Sequence, residues 1–271
     1  MEEHATDWKN VVAGVREVLE RLNESGVHFL NIPPDAELSA QRAAVAPPLE
    51  ARPAPAKGRP VPAPGSDAPP RAAVQEPEQV PRRPIEEIAT LESLYLQVRD
   101  CAACKLAPTR NRLVFGVGND RPRLMFIGEG PGAEEDQQGL PFVGRAGQLL
   151  TGLIKAMGLV REDVYITNVV KCRPPGNRTP EPDEVASCRP ILKRQIELLD
   201  PRLIVTLGNV PLKALNPDAG GITRERGRVF SYARWRVLPT FHPSYLLRNP
   251  EAIEPCWKDF REAFALAHAD R

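Results

Sequence analysis

From residue 85 onward the chain alternates between short, mainly apolar runs and longer stretches in which apolar residues recur every three or four positions. The runs predict strands over Arg123–Glu129, Val164–Val170, Arg202–Gly208 and Arg234–His242. The longer spacing predicts helices over Ala146–Met157, Pro180–Leu199, Asn209–Leu215 and Glu251–His268, with a further helix over Glu86–Val98 ahead of them. Strands that alternate with helices make a parallel sheet covered on both faces. The expected fold class is therefore α/β: a three-layer αβα arrangement around a central four-stranded, mainly parallel sheet.

The first 84 residues follow other rules. Trp8, Val11, Val12, Val15, Val18, Leu19 and Leu22 share one helical face, which predicts a short amphipathic helix within residues 1–32, docking on its own domain or on a protein partner. Residues 33–84 hold 14 of the 30 prolines and almost no aromatic side chains. Such a segment has too little apolar surface to bury, so a disordered Pro/Ala/Arg-rich linker is expected there. Order is expected to resume near Ile85, leaving one domain over residues 85–271.

Charge and composition narrow the picture mainly by exclusion. The net charge of +1 gives no bulk attraction for nucleic acid, so any such partner must be met by local patches. No apolar run approaches the roughly 20 residues of a membrane span. The opening MEEHATDWKN is polar and acidic, unlike a secretory signal, and the expected location is cytoplasmic.

Candidate chemistry concentrates in two places. Between the first strand and its helix lies Gly128 to Gly147, GEGPGAEEDQQGLPFVGRAG. In parallel sheets ligands bind beyond the carboxyl ends of the strands, and Gly128, Gly130 and Gly132 permit close backbone approach. A phosphate is the wrong ligand here: no Lys-Ser/Thr follows the glycines, and Glu129, Glu134, Glu135 and Asp136 would repel it. Carboxylates beside a proline-fixed turn, with Phe142 presented by Leu-Pro-Phe, suit a pocket for a flat, neutral, polar ring. The second place is the thiol set. Cys101 and Cys104 have chelate spacing, and Cys172 and Cys188 complete four ligands for either a tetrahedral zinc or a [4Fe-4S] cluster, which spacing alone does not separate. Cys256, in the last helix, is expected to be a buried free thiol.

Four motifs in order, Gly128–Asp136 (GEGPGAEED), Leu140–Gly147 (LPFVGRAG), Thr167–Pro180 (TNVVKCRPPGNRTP) and His242–Arg248 (HPSYLLR), resemble the family 4 uracil-DNA glycosylases, the iron-sulfur branch of that superfamily. The resemblance runs from about Ile85 to the C-terminus. It implies a uracil-DNA glycosylase-like fold and a monomeric, monofunctional enzyme that flips uracil out of DNA and hydrolyses its N-glycosidic bond. The product would be an abasic site, opening base excision repair. By the same resemblance Phe142 stacks on the base, Gly130 lets the backbone approach it, and the Asn168 amide pairs with its O4 and N3–H edge. Glu135 shuts out the methyl of thymine, and His242 donates to O2. Glu129 or Glu135, helped by Asn177, places the water, and Leu246 fills the gap left by the flipped base. The four cysteines are implied to carry a structural [4Fe-4S] cluster in preference to zinc. Lys171, Arg173, Arg178, Arg224, Arg226, Arg228, Arg234 and Arg236 give local basic density suited to phosphates.

Two other functions compete. One relative of the family traps uracil-DNA covalently through an inserted, histidine-bearing loop, but residues Lys171–Pro182 contain no histidine. The other is a non-catalytic, polymerase-associated DNA-binding module. Retention of Asn168, His242 and the acidic loop together favours turnover over both.

Overall fold

The structure is a computed structural model that describes residues 84–269. The expected amphipathic helix and nearly all of the expected linker lie outside these residues. Within them, strands β1 (Val117–Gly118), β2 (Leu124–Gly128), β3 (Tyr165–Asn168), β4 (Leu203–Leu207), β5 (Phe230–Tyr232) and β6 (Trp235–Thr240) form a six-stranded sheet in the order β1-β3-β2-β4-β6-β5. The middle four are mutually parallel. They coincide with the four strands expected from the apolar runs. The two edge strands are antiparallel additions of two and three residues, too short to leave a periodic trace.

The apolar runs have no polar face because both sides of the sheet are covered. In β2, Leu124 and Phe126 enter one core while Met125 and Ile127 enter the other. In β4, Leu203, Val205 and Leu207 divide from Ile204 in the same way. The first core is closed by α3 (Arg145–Ala156), through Leu150 and Ile154, and by α8 (Ile253–His268), through Trp257 and Phe260. The second is closed by α1 (Leu91–Val98), through Leu94, and by α4 (Pro182–Leu199), through Ile191, Leu192 and Ile196. Helix, sheet, helix is thus the layer order. The short α5 (Asn209–Leu215), α6 (Ile222–Glu225) and α7 (Pro243–Leu246) follow strand ends or line the loops between them.

Two segments differ from expectation. The helix expected over Glu86–Val98 is broken: a single 3-10 turn at Ile85–Glu87 gives way to extended backbone at Ile88, and α1 begins afresh behind Thr90, whose hydroxyl accepts the Ser93 N–H at 3.1 Å. The stretch expected to be an open acidic loop contains α2 (Ala133–Gln138). Its first turn carries Glu134, Glu135 and Asp136, where negative charge meets the positive end of the helix dipole, and Gly139 ends it in the left-handed conformation at φ 76°.

Candidate active site

Because β3, β2, β4 and β6 are parallel, their carboxyl ends share one edge of the sheet. A cavity of about 620 Å³ opens there, lined among others by Glu129 and Gly130 after β2, Asn168 at the end of β3, Gly208 after β4 and His242 after β6. Phe142, Glu135, Asn177, Tyr245 and Arg248 also line it. Glu129, Gly130, Glu135, Phe142, Asn168, Asn177 and His242, predicted from sequence, therefore all face one space.

Close packing of backbone makes this convergence possible. A Cβ at Gly128 would overlap Asn168 Oδ1 and lie 2.5 Å from Phe142 Cζ, so only glycine lets the carboxamide and the phenyl ring meet there. A Cβ at Gly147 would collide with the Phe142 carbonyl. Phe142 itself is held at φ 53°, a left-handed backbone that a bulky residue adopts only under constraint. The constraint is visible. Glu135 accepts the Val143 and Gly144 N–H groups at 2.8 and 2.9 Å through one oxygen and the Gly132 N–H at 3.1 Å through the other. Arg161 donates to the Pro141 carbonyl at 2.9 Å on the other flank.

Those bonds give Glu135 a structural role beside the one expected of it. One carboxylate oxygen accepts two backbone amides and the other accepts one, so the side chain ties the ends of the loop together. Glu129 is differently placed. It is half-buried, burial pushes its carboxyl above the usual range, and a hydrogen bond from Thr179 opposes that shift. Asn177, also left-handed at φ 56°, accepts from Arg173 Nε at 2.7 Å, which leaves its amide N–H groups to face the cavity.

Asn168 is 2 % exposed and its carboxamide oxygen has no partner. An unpaired buried acceptor costs about 1–3 kcal/mol, so this amide is poised for a ligand that supplies a donor. Its neighbour across the cavity, His242, has its ring 5.6 Å from that of Phe142. Nδ1 of His242 accepts the Ser244 N–H at 3.1 Å, which caps α7 and puts the proton of the neutral ring on Nε2. Burial pulls its pKa down to about 4, with Arg248 acting in the same direction and Glu135 against it. The ring is therefore a neutral donor near pH 7.

Leu246 does not stand at the rim as expected. It is 1 % exposed and packs into the first core, because in the single turn of α7 the positions three apart, Pro243 and Leu246, face inward together. The exposed residue on this turn is Tyr245, 38 % accessible, its ring 4.9 Å from Phe241. The i, i+3 spacing was readable in the sequence and identifies the inward pair.

The expected basic surface also divides. Lys171 is fully buried. Arg226 pairs with Asp259 at 2.7 Å and also bonds the Pro255 carbonyl. Arg234 binds Asp200 at 2.9 Å, and Arg236 donates to the Leu266 carbonyl at 2.7 Å, both at the amino ends of the strands, away from the cavity. Arg178 lines the cavity while held by the buried Glu184 at 2.6 and 2.8 Å, and Arg248 joins it there, unforeseen.

On the other face of the sheet Cys101 and Cys104, just after α1, meet Cys172, after β3, and Cys188, in α4, around the second core. Cys188 senses both Cys172 and Cys104, and Cys172 senses Cys101 and Cys104. Burial pushes the Cys188 thiol up to about 12 and raises that of Cys172 as well, a shift opposed there by Arg110, which donates to Cys172 Sγ at 3.4 Å. Among the described residues no three of His, Cys, Asp or Glu are grouped so as to hold a single metal ion. Cys256 is a separate buried thiol, 3.4 Å from the Thr240 hydroxyl.

The family described as the Uracil DNA glycosylase superfamily matches residues 115–263. The chain is 51% identical over 161 residues to a type-4 uracil-DNA glycosylase of Thermotoga maritima, covering 59% of this chain and 84% of that protein. It is 46% identical over 175 residues to one of Saccharolobus solfataricus, covering 61% and 81%. With one of Archaeoglobus fulgidus it shares 40% over 181 residues, covering 64% and 91%.

Proposed function

The chain belongs to the uracil DNA glycosylase superfamily, and we propose that its cavity receives a uracil everted from DNA and hydrolyses the bond between uracil N1 and the sugar C1′. The reading is carried by one observation: Phe142, Asn168 and His242 line the same cavity, and Asn168 has a buried oxygen without a partner.

The base lies against the Phe142 ring. Asn168 Oδ1 accepts its N3–H while the amide N–H donates to O4; cytosine, with the reverse pattern, would leave buried groups unpaired at about 1–3 kcal/mol each. As the glycosidic bond breaks, its electron pair moves to N1 and O2 of the base. The neutral His242 Nε2–H stabilises that charge without giving up its proton. A water bonds to C1′, and its proton passes to Glu129, the carboxylate raised by burial and still free to accept. Asn177 steadies the water. Glu135 acts one step back, holding Phe142 in its strained position, and the wall it forms with Gly130 leaves no room for the methyl of thymine. Tyr245, in place of Leu246, fills the gap in the duplex, with Arg178 and Arg248 on the flanking phosphates.

The four cysteines suit a [4Fe-4S] cluster. A tetrahedral zinc would bring its sulfurs to about 2.3 Å from one point, whereas a cubane would give each thiolate its own iron, and the resemblance to the family 4 enzymes favours the second. The donor set is all sulfur, and Arg110 sits beside it as a cation. When bound, the cluster supplies cross-linking of α1, α4 and the segment after β3, not electron transfer. Freshly purified protein should be brown, and Cys→Ala changes should destabilise the domain and weaken DNA binding; a colourless, folded and fully active protein would sink the cluster. Among the described residues no helix is long and apolar enough to cross a membrane. The N-terminal segment is the part left to engage a partner protein.

The reaction is tested with single-stranded uracil-containing DNA followed by alkali. Strand cleavage at uracil, and none at cytosine or thymine, is expected. A stable protein–DNA adduct would indicate a trap, and binding with neither outcome a non-catalytic module.

A further inference from the structure

Phe142 combines the strained backbone of the cavity with the ring on which the base would lie, so whatever holds the strain bears on the reaction. Four non-glycine residues among those described have positive φ: Phe142, Asn177, Asp200 and Ala233. Asn and Asp adopt that conformation readily, whereas a bulky ring does so only when its surroundings dictate it. The φ of 53° at Phe142 is fixed by the direction of the planar Pro141–Phe142 peptide, and the accompanying ψ by that of the Phe142–Val143 peptide. A charged side chain grips each of them. Glu135 accepts the Val143 N–H at 2.8 Å, and Arg161 Nη2 donates to the Pro141 carbonyl at 2.9 Å.

Arg161 reaches this loop from beyond α3. It opens a 3-10 turn, Arg161–Asp163, just ahead of β3. Its Nη1 donates to Thr151 Oγ1 on α3 at 3.0 Å, and that hydroxyl donates to the Gly147 carbonyl at 2.9 Å. Gly147 is the residue whose missing Cβ leaves room for the Phe142 carbonyl. The planar guanidinium thus ties the peptide before Phe142 to the helix that packs against the peptide after it, a two-pronged grip that an ammonium reproduces only in part.

We propose that Arg161 is a positioning residue for uracil excision: together with Glu135 on the opposite peptide, it locks Phe142 in the left-handed conformation that brings its ring beside Asn168 and His242. The inference rests on the uracil reading above. Arg161 is not among the residues that line the cavity, so it acts through Phe142 and touches neither base nor sugar. Without the guanidinium the Pro141 peptide turns, φ relaxes to the ordinary negative range, and the ring leaves the plane in which a stacked base meets the Asn168 oxygen.

Three substitutions dissect the grip. Arg161→Met removes both bonds, Arg161→Lys keeps one donor for the Pro141 carbonyl, and Thr151→Val removes only the tie to α3. Uracil release from single-stranded DNA is followed in single turnovers with the full-length protein in excess, reading the amplitude, the limiting rate and the half-saturating protein concentration. Arg161→Met should keep the full amplitude and a half-saturation within about three-fold of wild type, because phosphate contacts carry most of the hold on DNA. Its limiting rate should fall about ten-fold or more, a loss that a small misplacement at the reacting centre suffices to cause. Arg161→Lys should recover most of that rate, and Thr151→Val should stay near wild type. In a Phe142→Ala background, Arg161→Met should cost less than about two-fold further, since effects that pass through one shared residue do not add.

A wild-type rate in Arg161→Met, or the same loss with and without the Phe142 ring, overturns the proposal and leaves the uracil reading intact. A reduced amplitude at an unchanged rate, or loss of fold in both Arg161 variants, makes the arginine a support of the core and overturns it as well. Wild-type protein that releases no uracil removes the reading and the inference together.

Discussion

The two ends of the parallel strands treat their polar groups in opposite ways. At the amino ends several basic side chains are consumed by structure: Arg234 and the Trp235 indole N–H bind Asp200, Arg236 donates to the Leu266 carbonyl, and Arg202 to that of Ala269. The last two satisfy carbonyls at the end of α8, where cations also meet the negative end of the helix dipole. At the carboxyl ends the reverse holds. Asn168 keeps an unpaired buried oxygen, Phe142 is strained at φ 53°, and Glu129 is half-buried with its carboxyl raised. Polar groups are largely paired at one end, while strain and an unpaired acceptor gather at the other, the end proposed to receive the base.

Substitutions at the two ends should therefore separate activity from stability. The largest effect belongs to His242→Ala, which should lower kcat by about 10²–10³, the magnitude typical of losing one preorganised donor. Asn168→Ala should follow within a factor of ten and leave the melting temperature unchanged or raised, since an unsatisfied acceptor disappears. A melting temperature that falls with the activity would make Asn168 a structural residue instead. Next comes Arg226→Ala. It strands Asp259, 3 % exposed, and should destabilise by about 3 kcal/mol, the low end of the range for breaking a buried pair, with unaltered activity per folded molecule in a denaturant titration and single-turnover assay.

A pH profile gives a smaller effect with a definite sign. The pKa of His242 is depressed to about 4, so the neutral donor and its bond from Ser244 persist as pH falls through 6.5, where an ordinary histidine would charge. Single-turnover rates should therefore show no histidine step near 6.5. They should decline only in the acid, as Glu129, raised by burial, takes up its proton, and then as His242 charges near 4. Glu129→Gln should remove the earlier decline and slow the reaction at every pH; a step near 6.5 that survives in Glu129→Gln would place His242 in solvent. Smallest of all is Arg236→Ala. It should cost less than about 1 kcal/mol and leave the salt dependence of DNA binding as in wild type.

The sequence by itself determined more of the fold than of the wiring. Its four apolar runs could be placed as parallel strands because a sheet buried on both faces writes itself as continuous hydrophobicity, and the helical spacing marked α3, α4, α5 and α8 almost to the residue. The motif residues Glu129, Phe142, Asn168 and His242 were legible from their order, and they do share one cavity. What only the tertiary structure decided depends on contacts between segments far apart in the chain. Nothing local in GEGPGAEED says that both oxygens of Glu135 will meet the amides of Gly132, Val143 and Gly144, or that Glu129 will be half-buried beside Thr179. Nor does a lysine before Cys172 declare that it will be sealed between Thr167 and Gln195, or an arginine-rich tract that Arg226 will turn inward to Asp259. The reason is physical. Periodicity records which side of an element meets water, a one-dimensional property, whereas a hydrogen-bond partner or a counter-charge is fixed only when the layers close and each buried polar group must find one.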